Sequence, residues 1–364
     1  TMAGANKSIT NSGTATFWGL GIEGATSTAS SFNINSSLGG TASLTATAGT
    51  VTFDGANTTL GGTHNLFNVS VPSTKGLTLS SNAVLGVAGA LTSSGTFNAT
   101  ANVNTVNYNG SGDQNILRTD YHHLTLSTGG TKRFALGTTK IAGNFTLSGA
   151  TANATANQSK IDYNGAAQTV AAIAYHDLTL SNSGTKTMPT SAMSVAGNLV
   201  SEGTVSFAAG ASITVSRDVT IGANTTFGGG SFSHTVGGNW TANGTFTPGA
   251  STVTFTGADK TISGTTSTPE FNNLTINSST VTVNFSSLKV LGNLAGTGGY
   301  SQAANGTLTM SGTSKSISGT GHSFQNLVID GTISTDASFT VNGNLTVNSG
   351  KSFSATAGTV TMAG

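Results

Sequence analysis

A short motif recurs along the whole chain, and it restricts the folds that the chain can adopt. Each copy has a hydrophobic residue, an aromatic residue or Met two positions later, and a Gly after one variable residue. Units that repeat in this way bury their apolar faces by stacking on one another, which is typical of repeat architectures. The full copies are TVTFDG, TVNYNG, KIDYNG, TVTFTG, TLTMSG and TVTMAG.

The spacing of these copies predicts a solenoid. Their anchor residues are separated by 51, 55, 55, 92, 55 and 52 residues, which are near multiples of about 18, the length of one coil in our interpretation. An ordinary repeat then has three coils and the long repeat has five, which makes about 20 coils in all. The anchors are Met2, Phe53, Tyr108, Tyr163, Phe255, Met310 and Met362.

Two further motifs follow the anchors, and both alternate between apolar and polar residues as strands do. One motif in each coil agrees with the spacing of the anchors. The second motif is LFNVSV at Leu66, YHHLTL at Tyr121, YHDLTL at Tyr175, FNNLTI at Phe271 and FQNLVI at Phe324. The third motif is VAGAL at Val87, IAGNF at Ile141, VAGNL at Val195, VGGNW at Val236, VLGNL at Val290 and VNGNL at Val341.

We therefore predict an all-β fold, a single right-handed parallel β-helix, or β-solenoid, that continues over residues 1–364. The chain has no apolar stripe with a period of 3.6 residues, so no helix is expected. An Asn follows Gly in most copies of the third motif, and we predict structural turn positions there, with side-chain amides that hydrogen-bond local backbone. These are Asn144, Asn198, Asn239, Asn293 and Asn344.

The two ends of the chain carry the same four residues, since TMAG occupies both 1–4 and 361–364. A solenoid without a capping segment leaves unpaired strand edges that can template another strand. We expect either a window of a longer array or a subunit that stacks head to tail.

The balance of charges excludes several classes of function. Only 7% of the residues are charged, and 13 basic against 12 acidic residues give a net charge of +1. Such a chain has no positive field for nucleic acid or anionic membrane surfaces. The longest apolar runs are far shorter than the ~20 residues that span a bilayer, so membrane insertion is not expected.

The segment GGNWTANGTFTPGASTVTFTGADKTISGTTSTPEFNNLTI, residues 237–276, resembles the repeats of very large bacterial surface proteins known as β-strand repeat proteins. These are similar in style to filamentous haemagglutinin and to autotransporter passenger domains. The resemblance implies secretion, a parallel β-helix, and a role in adhesion or in a surface layer. It implies no functional residues.

His and carboxylate residues are the first candidates for metal binding or proton transfer. In the repeat alignment, however, the His positions of the second motif match Asn and Gln in other copies, which indicates a generic polar position beside a strand. We therefore predict no catalytic, cofactor or metal site. The candidates considered are Asp113, Asp120, His122, His123, His176 and Asp177.

Two other sets of residues have a structural interpretation. Lys7, Lys260 and Lys315 recur after the anchor motif, with Gln114 and Gln168 in the equivalent place, and all five are expected to face solvent. The two tryptophans, Trp18 and Trp240, are expected to fill the core or a turn.

These patterns predict a structural protein, not an enzyme, that forms an extracellular fibre or filament at a cell surface by end-to-end stacking. Its main partner is then another copy of itself, and it needs no cofactor. The alternatives are an adhesin stalk that binds cell-surface glycans and, third, a polysaccharide-degrading β-helix enzyme, because the same fold can host such enzymes.

Overall fold

The computed structural model describes residues 1–4 and 6–363, and its regular structure is entirely β. The strands are parallel and stack as a β-solenoid of about 18 turns, which confirms the predicted fold class. Within the described residues no helix is long and apolar enough to cross a membrane. By the contacts between residues, the chain divides into two compact units, Thr1–Tyr175 and His176–Gly364.

The first unit contains 22 strands, each of two to eight residues. They are β1 (Lys7–Ile9), β2 (Ala15–Gly21), β3 (Thr26–Thr28), β4 (Phe32–Gly39), β5 (Leu44–Ala46), β6 (Thr50–Phe53), β7 (Thr58–Leu60), β8 (Thr63–Leu66), β9 (Asn68–Val71), β10 (Gly76–Leu79), β11 (Val84–Val87), β12 (Leu91–Ser93), β13 (Thr96–Asn98), β14 (Thr105–Tyr108), β15 (Gln114–Ile116), β16 (His123–Ser127), β17 (Thr131–Phe134), β18 (Gly137–Ile141), β19 (Phe145–Ser148), β20 (Thr151–Asn153), β21 (Ser159–Tyr163) and β22 (Gln168–Thr169).

The second unit contains 26 strands. They are β23 (Asp177–Leu180), β24 (Ser183–Thr187), β25 (Met193–Val195), β26 (Leu199–Ser201), β27 (Thr204–Ala208), β28 (Ile213–Val215), β29 (Val219–Ile221), β30 (Thr226–Gly228), β31 (Ser233–Val236), β32 (Trp240–Ala242), β33 (Thr245–Thr247), β34 (Thr252–Gly257), β35 (Lys260–Ser263), β36 (Glu270–Phe271), β37 (Asn273–Ser278), β38 (Thr280–Val283), β39 (Ser287–Val290), β40 (Leu294–Ala295), β41 (Gly299–Gln302), β42 (Thr307–Ile317), β43 (His322–Phe324), β44 (Asn326–Thr335), β45 (Phe339–Val341), β46 (Leu345–Val347), β47 (Ser352–Ala355) and β48 (Val360–Met362).

Each complete coil contributes one strand to each of three faces. In the first unit one face is the sheet β1-β3-β5-β8-β11-β14-β16-β19. The long strand β4 turns from one face to the next, since its first half pairs with β6 and its second half pairs with β7. In the second unit, β26, β29, β32, β35 and β38 follow one another in the same way on one face.

The core lies inside the coils and follows from the alternation of each strand. In β6, for example, Val51 and Phe53 point inward and are buried, while Thr50 and Thr52 are half-buried. One side chain in two therefore leaves water, and burial of apolar area is the main stabilising contribution. Short strands of low propensity are held because every coil shares this core with its neighbours.

The three sequence motifs stack on one another in consecutive coils. Leu66 of a second motif pairs with Val87 of a third, which pairs with the anchor Tyr108. In the second unit Val290 likewise joins Phe271 to the anchor Met310. The prediction of one motif per coil is confirmed.

The coils are longer than predicted, and this changes the meaning of the 55-residue repeat. Tyr108 lies 21 residues after its partner Val87, not about 18, so 55 residues make less than three coils. Successive anchors therefore occupy different faces. In the first unit Phe53 lies in β6, Tyr108 in β14 and Tyr163 in β21, which belong to three separate sheets.

Candidate functional site

A bend at residues 117–120 interrupts the regular coil between β15 and β16. Two buried tyrosines hold it. The Tyr108 hydroxyl accepts the Leu117 N–H at 2.9 Å, the Tyr121 hydroxyl donates to the Leu117 carbonyl at 2.6 Å, and the two hydroxyls lie 2.9 Å apart. Burial raises the pKa of Tyr108 to about 12 and that of Tyr121 well above its usual value, so both hydroxyls stay protonated.

The bend takes the place of a strand on one face. β13 ends its sheet and β18 begins another, and the coil between them contributes only the isolated bridges of Tyr121 to Ala99 and Ile141. The interruption leaves a concavity of about 640 Å³, within the range typical of ligand sites. We call it the bend groove. It is lined by Thr96, Phe97, Asn98, Thr100, Arg118, Thr119, Asp120 and Thr138.

The groove presents one cation, one anion and several hydroxyl groups. Arg118 and Asp120 are both exposed, and neither side chain makes a hydrogen bond or ion pair with another residue of 1–4 or 6–363. Gly137 makes room for the arginine, because a Cβ at that position would come within 3.0 Å of Arg118 Nη1. The chemistry of such a lining suits a ligand that both donates and accepts hydrogen bonds.

The other candidates from the sequence do not join this groove. Asp113 accepts the Thr131 N–H at 2.7 Å and pairs with Arg133 at 2.8 Å, and the backbone hydrogen bond, followed by the arginine, lowers the pKa of its carboxyl. The His122 and His123 rings contact each other at 4.4 Å.

His176 and Asp177 lie together in the second unit, with Nδ1 and Oδ2 3.0 Å apart. Among the described residues, no group of three or more His, Cys, Asp or Glu side chains is arranged to hold a metal ion.

The five predicted Asn positions lie in the turns after the third motif, and their hydrogen bonds run between coils. The backbone N–H of each donates to a side chain of the preceding coil. The acceptors are His123 for Asn144, Asp177 for Asn198, Asp218 for Asn239, Asn273 for Asn293 and Asn326 for Asn344, at 2.7 to 3.1 Å.

Three of these Asn side chains extend the contact to the next coil. Asn198 Oδ1 accepts from the Asp218 N–H at 3.2 Å, Asn239 Oδ1 from Thr261 at 3.0 Å, and Asn293 Oδ1 from Ser316 at 3.0 Å. The Gly before each Asn has a steric reason. A Cβ on Gly197, for instance, would overlap the Asp177 carboxylate that serves as acceptor.

We call the continuous series Asp177, Asn198, Asp218, Asn239 and Thr261 the corner ladder.

The expectation of solvent-facing side chains after the anchor is wrong for both glutamines. Gln114 is buried, accepts the Gly110 N–H at 2.9 Å and donates to the carbonyls of Val87 and Gly89. Gln168 is buried in the same way. Their amides satisfy backbone groups of a turn in the preceding coil, which a charged head group facing water would not do.

Among the lysines at this position, Lys7 is exposed, whereas Lys260 and Lys315 are half-buried.

The two tryptophans differ. Trp240 fills the core as expected, 1% exposed and packed against Phe227, Phe246 and Phe271. Trp18 is 78% exposed, so the expectation is wrong there. A register shift between Phe17 and Gly19 in β2 breaks the alternation and turns Trp18 outward.

Three buried histidines form a feature that the sequence did not reveal. His64, His234 and His322 each accept, through Nδ1, the backbone N–H of the residue paired with them in the preceding coil, at 3.1 to 3.2 Å. Each Nε2 lies 2.8 to 3.0 Å from a carbonyl oxygen, so it must carry the proton. These contacts require the neutral ring, and burial lowers the pKa of all three.

Signals for these features were present in the sequence. Tyr occurs at the anchor only where Tyr also opens the following second motif, as in Tyr108 with Tyr121 and Tyr163 with Tyr175. His64 and His322 each stand two residues before the first residue of a second motif.

No protein-family model, curated protein or solved structure matches this chain. The fold itself is that of β-helix repeat proteins, a parallel β-solenoid of stacked coils.

Proposed function

We propose that this chain is a structural segment of an extracellular fibre at a cell surface, built by end-to-end stacking of β-solenoid units. The observation that carries the proposal is the corner ladder, which joins five consecutive coils of the second unit by side-chain hydrogen bonds. These bonds run from coil to coil, in the same direction as the main-chain pairing. They reinforce the axis along which a fibre bears load.

Two properties of the surface support a place outside the cell. Lys and Arg together number 13 in 364 residues, so few sites are open to proteases that cleave after basic residues. The chain contains no Cys, so its stability does not depend on the redox state of the surroundings. Stability comes instead from the shared core and the hydrogen-bonded ladders.

Sedimentation of the purified chain over a range of concentrations, followed by electron microscopy of the fast-sedimenting fraction, tests the proposal. We expect filaments whose diffraction shows the ~4.8 Å spacing between stacked strands. Particles that stay monomeric at every concentration, with no filaments, would contradict end-to-end stacking.

Pulling single molecules tests the mechanical role separately. Asp218→Ala removes the acceptor for the Asn239 N–H, whereas Asp330→Ala removes an exposed carboxylate outside the corner ladder and serves as the matched control. We expect the unfolding force of the second unit to fall in the first variant and not in the second. Equal forces in both would remove the argument from the ladder.

A further inference from the structure

We propose that the bend groove binds an uncharged oligosaccharide. This goes beyond the structural role above and does not depend on it. The first step concerns the backbone. The Tyr108 and Tyr121 hydroxyls hold the bend through the N–H and carbonyl of Leu117, so the side chains of residues 118–120 are not needed to form it.

The same bend occurs a second time in the first unit, which shows what the clamp requires. Tyr163 accepts the Ala171 N–H at 2.9 Å, and Tyr175 donates to the Ala171 carbonyl at 2.7 Å. The residues that follow are Ala172, Ile173 and Ala174, with the same alternation of exposed and half-buried positions as residues 118–120.

An identical backbone device thus carries Arg-Thr-Asp in one copy and Ala-Ile-Ala in the other. The polar triplet is dispensable for the bend, and in the first copy it borders a concavity. We infer that Arg118, Thr119 and Asp120 serve a ligand.

The lining selects the class of ligand. One guanidinium and one carboxylate make the groove neutral as a whole, so it does not favour a polyanion or a polycation. The remaining polar lining consists of Thr hydroxyls and the Asn98 amide, whose Oδ1 already accepts the N–H groups of Thr100 and Ala101. Groups that donate and accept side by side match the vicinal hydroxyls of a sugar.

Size and apolar contact agree with this class. The groove volume of about 640 Å³ leaves room for more than one sugar ring, and Phe97 lies in its lining. A second concavity of about 710 Å³ borders the same segment at Ala135 and Leu136, and Leu136 is 67% exposed. An exposed apolar side chain beside polar groups provides a surface for the apolar face of a pyranose ring.

Saturation-transfer NMR on the full chain tests the proposal with five probes: maltotriose, cellotriose, mannotriose, chitotriose and the anionic trigalacturonate. We expect transfer to at least one neutral trisaccharide and weaker transfer to trigalacturonate. No transfer to any neutral probe, or stronger binding of trigalacturonate than of all neutral probes, overturns the proposal.

Variants then place the site. Arg118→Ala/Thr119→Ile/Asp120→Ala gives the first bend the residues of the second, and we expect at least a tenfold loss of affinity. Lys140→Ala, an exposed charge of β18 outside the groove lining, is the control that keeps binding. Asp120→Asn alone, which keeps size and hydrogen bonding, provides a milder test if the triple variant folds poorly. Binding unchanged in both groove variants overturns the assignment.

Discussion

The bend between an anchor and the following second motif is held by tyrosines in some repeats and by a histidine in others. At 117–120 the hydroxyls of Tyr108 and Tyr121 satisfy the backbone of Leu117. At 318–321 the ring of His322 bridges the Ser318 carbonyl and the Tyr300 N–H. Both devices satisfy buried backbone groups that a strand would otherwise pair.

The difference teaches that the solenoid specifies where a bend occurs, whereas the local side chains decide how it is held. The two devices also fail under opposite conditions. A buried tyrosine hydroxyl must keep its proton, and a buried histidine that accepts at Nδ1 must not gain one. The predictions below use this opposition.

The largest effect is expected in alkali, at the tyrosine-held bends. The folded chain holds the Tyr108 proton up to a pKa of about 12, whereas the unfolded chain releases it near 10.0. This contribution to stability is complete below pH 10 and is lost as the pH rises towards 12, by about 3 kcal/mol for this one group. Thermal unfolding at pH 8, 10 and 11 measures the loss. A midpoint independent of pH over that range would contradict the clamp.

The next effect is expected in acid, at the histidines. Burial lowers the pKa of His64, His234 and His322 below the 6.5 of the unfolded chain, so the stability they contribute is present above pH 6.5 and is lost as the pH falls below it. Each protonated Nδ1 would face a backbone N–H, at a cost of about 1–3 kcal/mol. Amide exchange of Leu44, the donor to His64, should accelerate at pH 5.

His64→Asn is the matched variant for this prediction. An Asn oxygen can take the place of Nδ1 as acceptor but does not titrate. The Leu44 amide should then exchange at a rate that pH 5 and pH 8 leave equal after correction for intrinsic chemistry. A rate that still rises in acid would assign the pH dependence to another group.

A smaller effect is expected when one hydroxyl is removed from a tyrosine-held bend. Tyr108→Phe leaves the Leu117 N–H without its acceptor, and Tyr163→Phe does the same to Ala171, so each should lose about 1–3 kcal/mol. Tyr300→Phe is the control, because the buried Tyr300 hydroxyl has no hydrogen-bond partner among the described residues. Urea midpoints should fall for the first two variants and stay or rise for the third; equal losses in all three would contradict the account.

The smallest effect is expected when the exposed residues of one tyrosine-held bend replace those of the other. Arg118→Ala/Thr119→Ile/Asp120→Ala should change the free energy of unfolding by no more than about 0.5 kcal/mol, as surface substitutions usually do. The urea midpoint measures it against the unchanged chain. A loss of several kcal/mol would show that the polar triplet supports the bend.

Much of the fold was predictable from the residues because strand alternation and Gly-ended motifs are local properties. The all-β class, the parallel stacking and the one motif per coil follow from the motif spacing around residues such as Tyr108 and Met310. The coil length was wrong by about three residues, as the Val87–Tyr108 pair shows, because turns of different length add residues that leave no periodic signal.

The candidate site was less predictable. Asp120 was considered with His122 and His123 because of its residue type, yet its neighbours in the groove are Arg118 and the threonines of other coils. Trp18 and Gln114 were placed on the wrong side of the surface because a bulge and a backbone hydrogen bond override the simple alternation.

The sequence by itself determined the kind of structure, since a period of two with regular Gly and Asn allows stacked strands and little else. Only the tertiary structure decided which polar groups leave water and which gather in a groove. The reason is physical: burial and hydrogen bonding depend on the residue one coil away, 18 to 22 positions along the chain, and that distance is set by every turn between them.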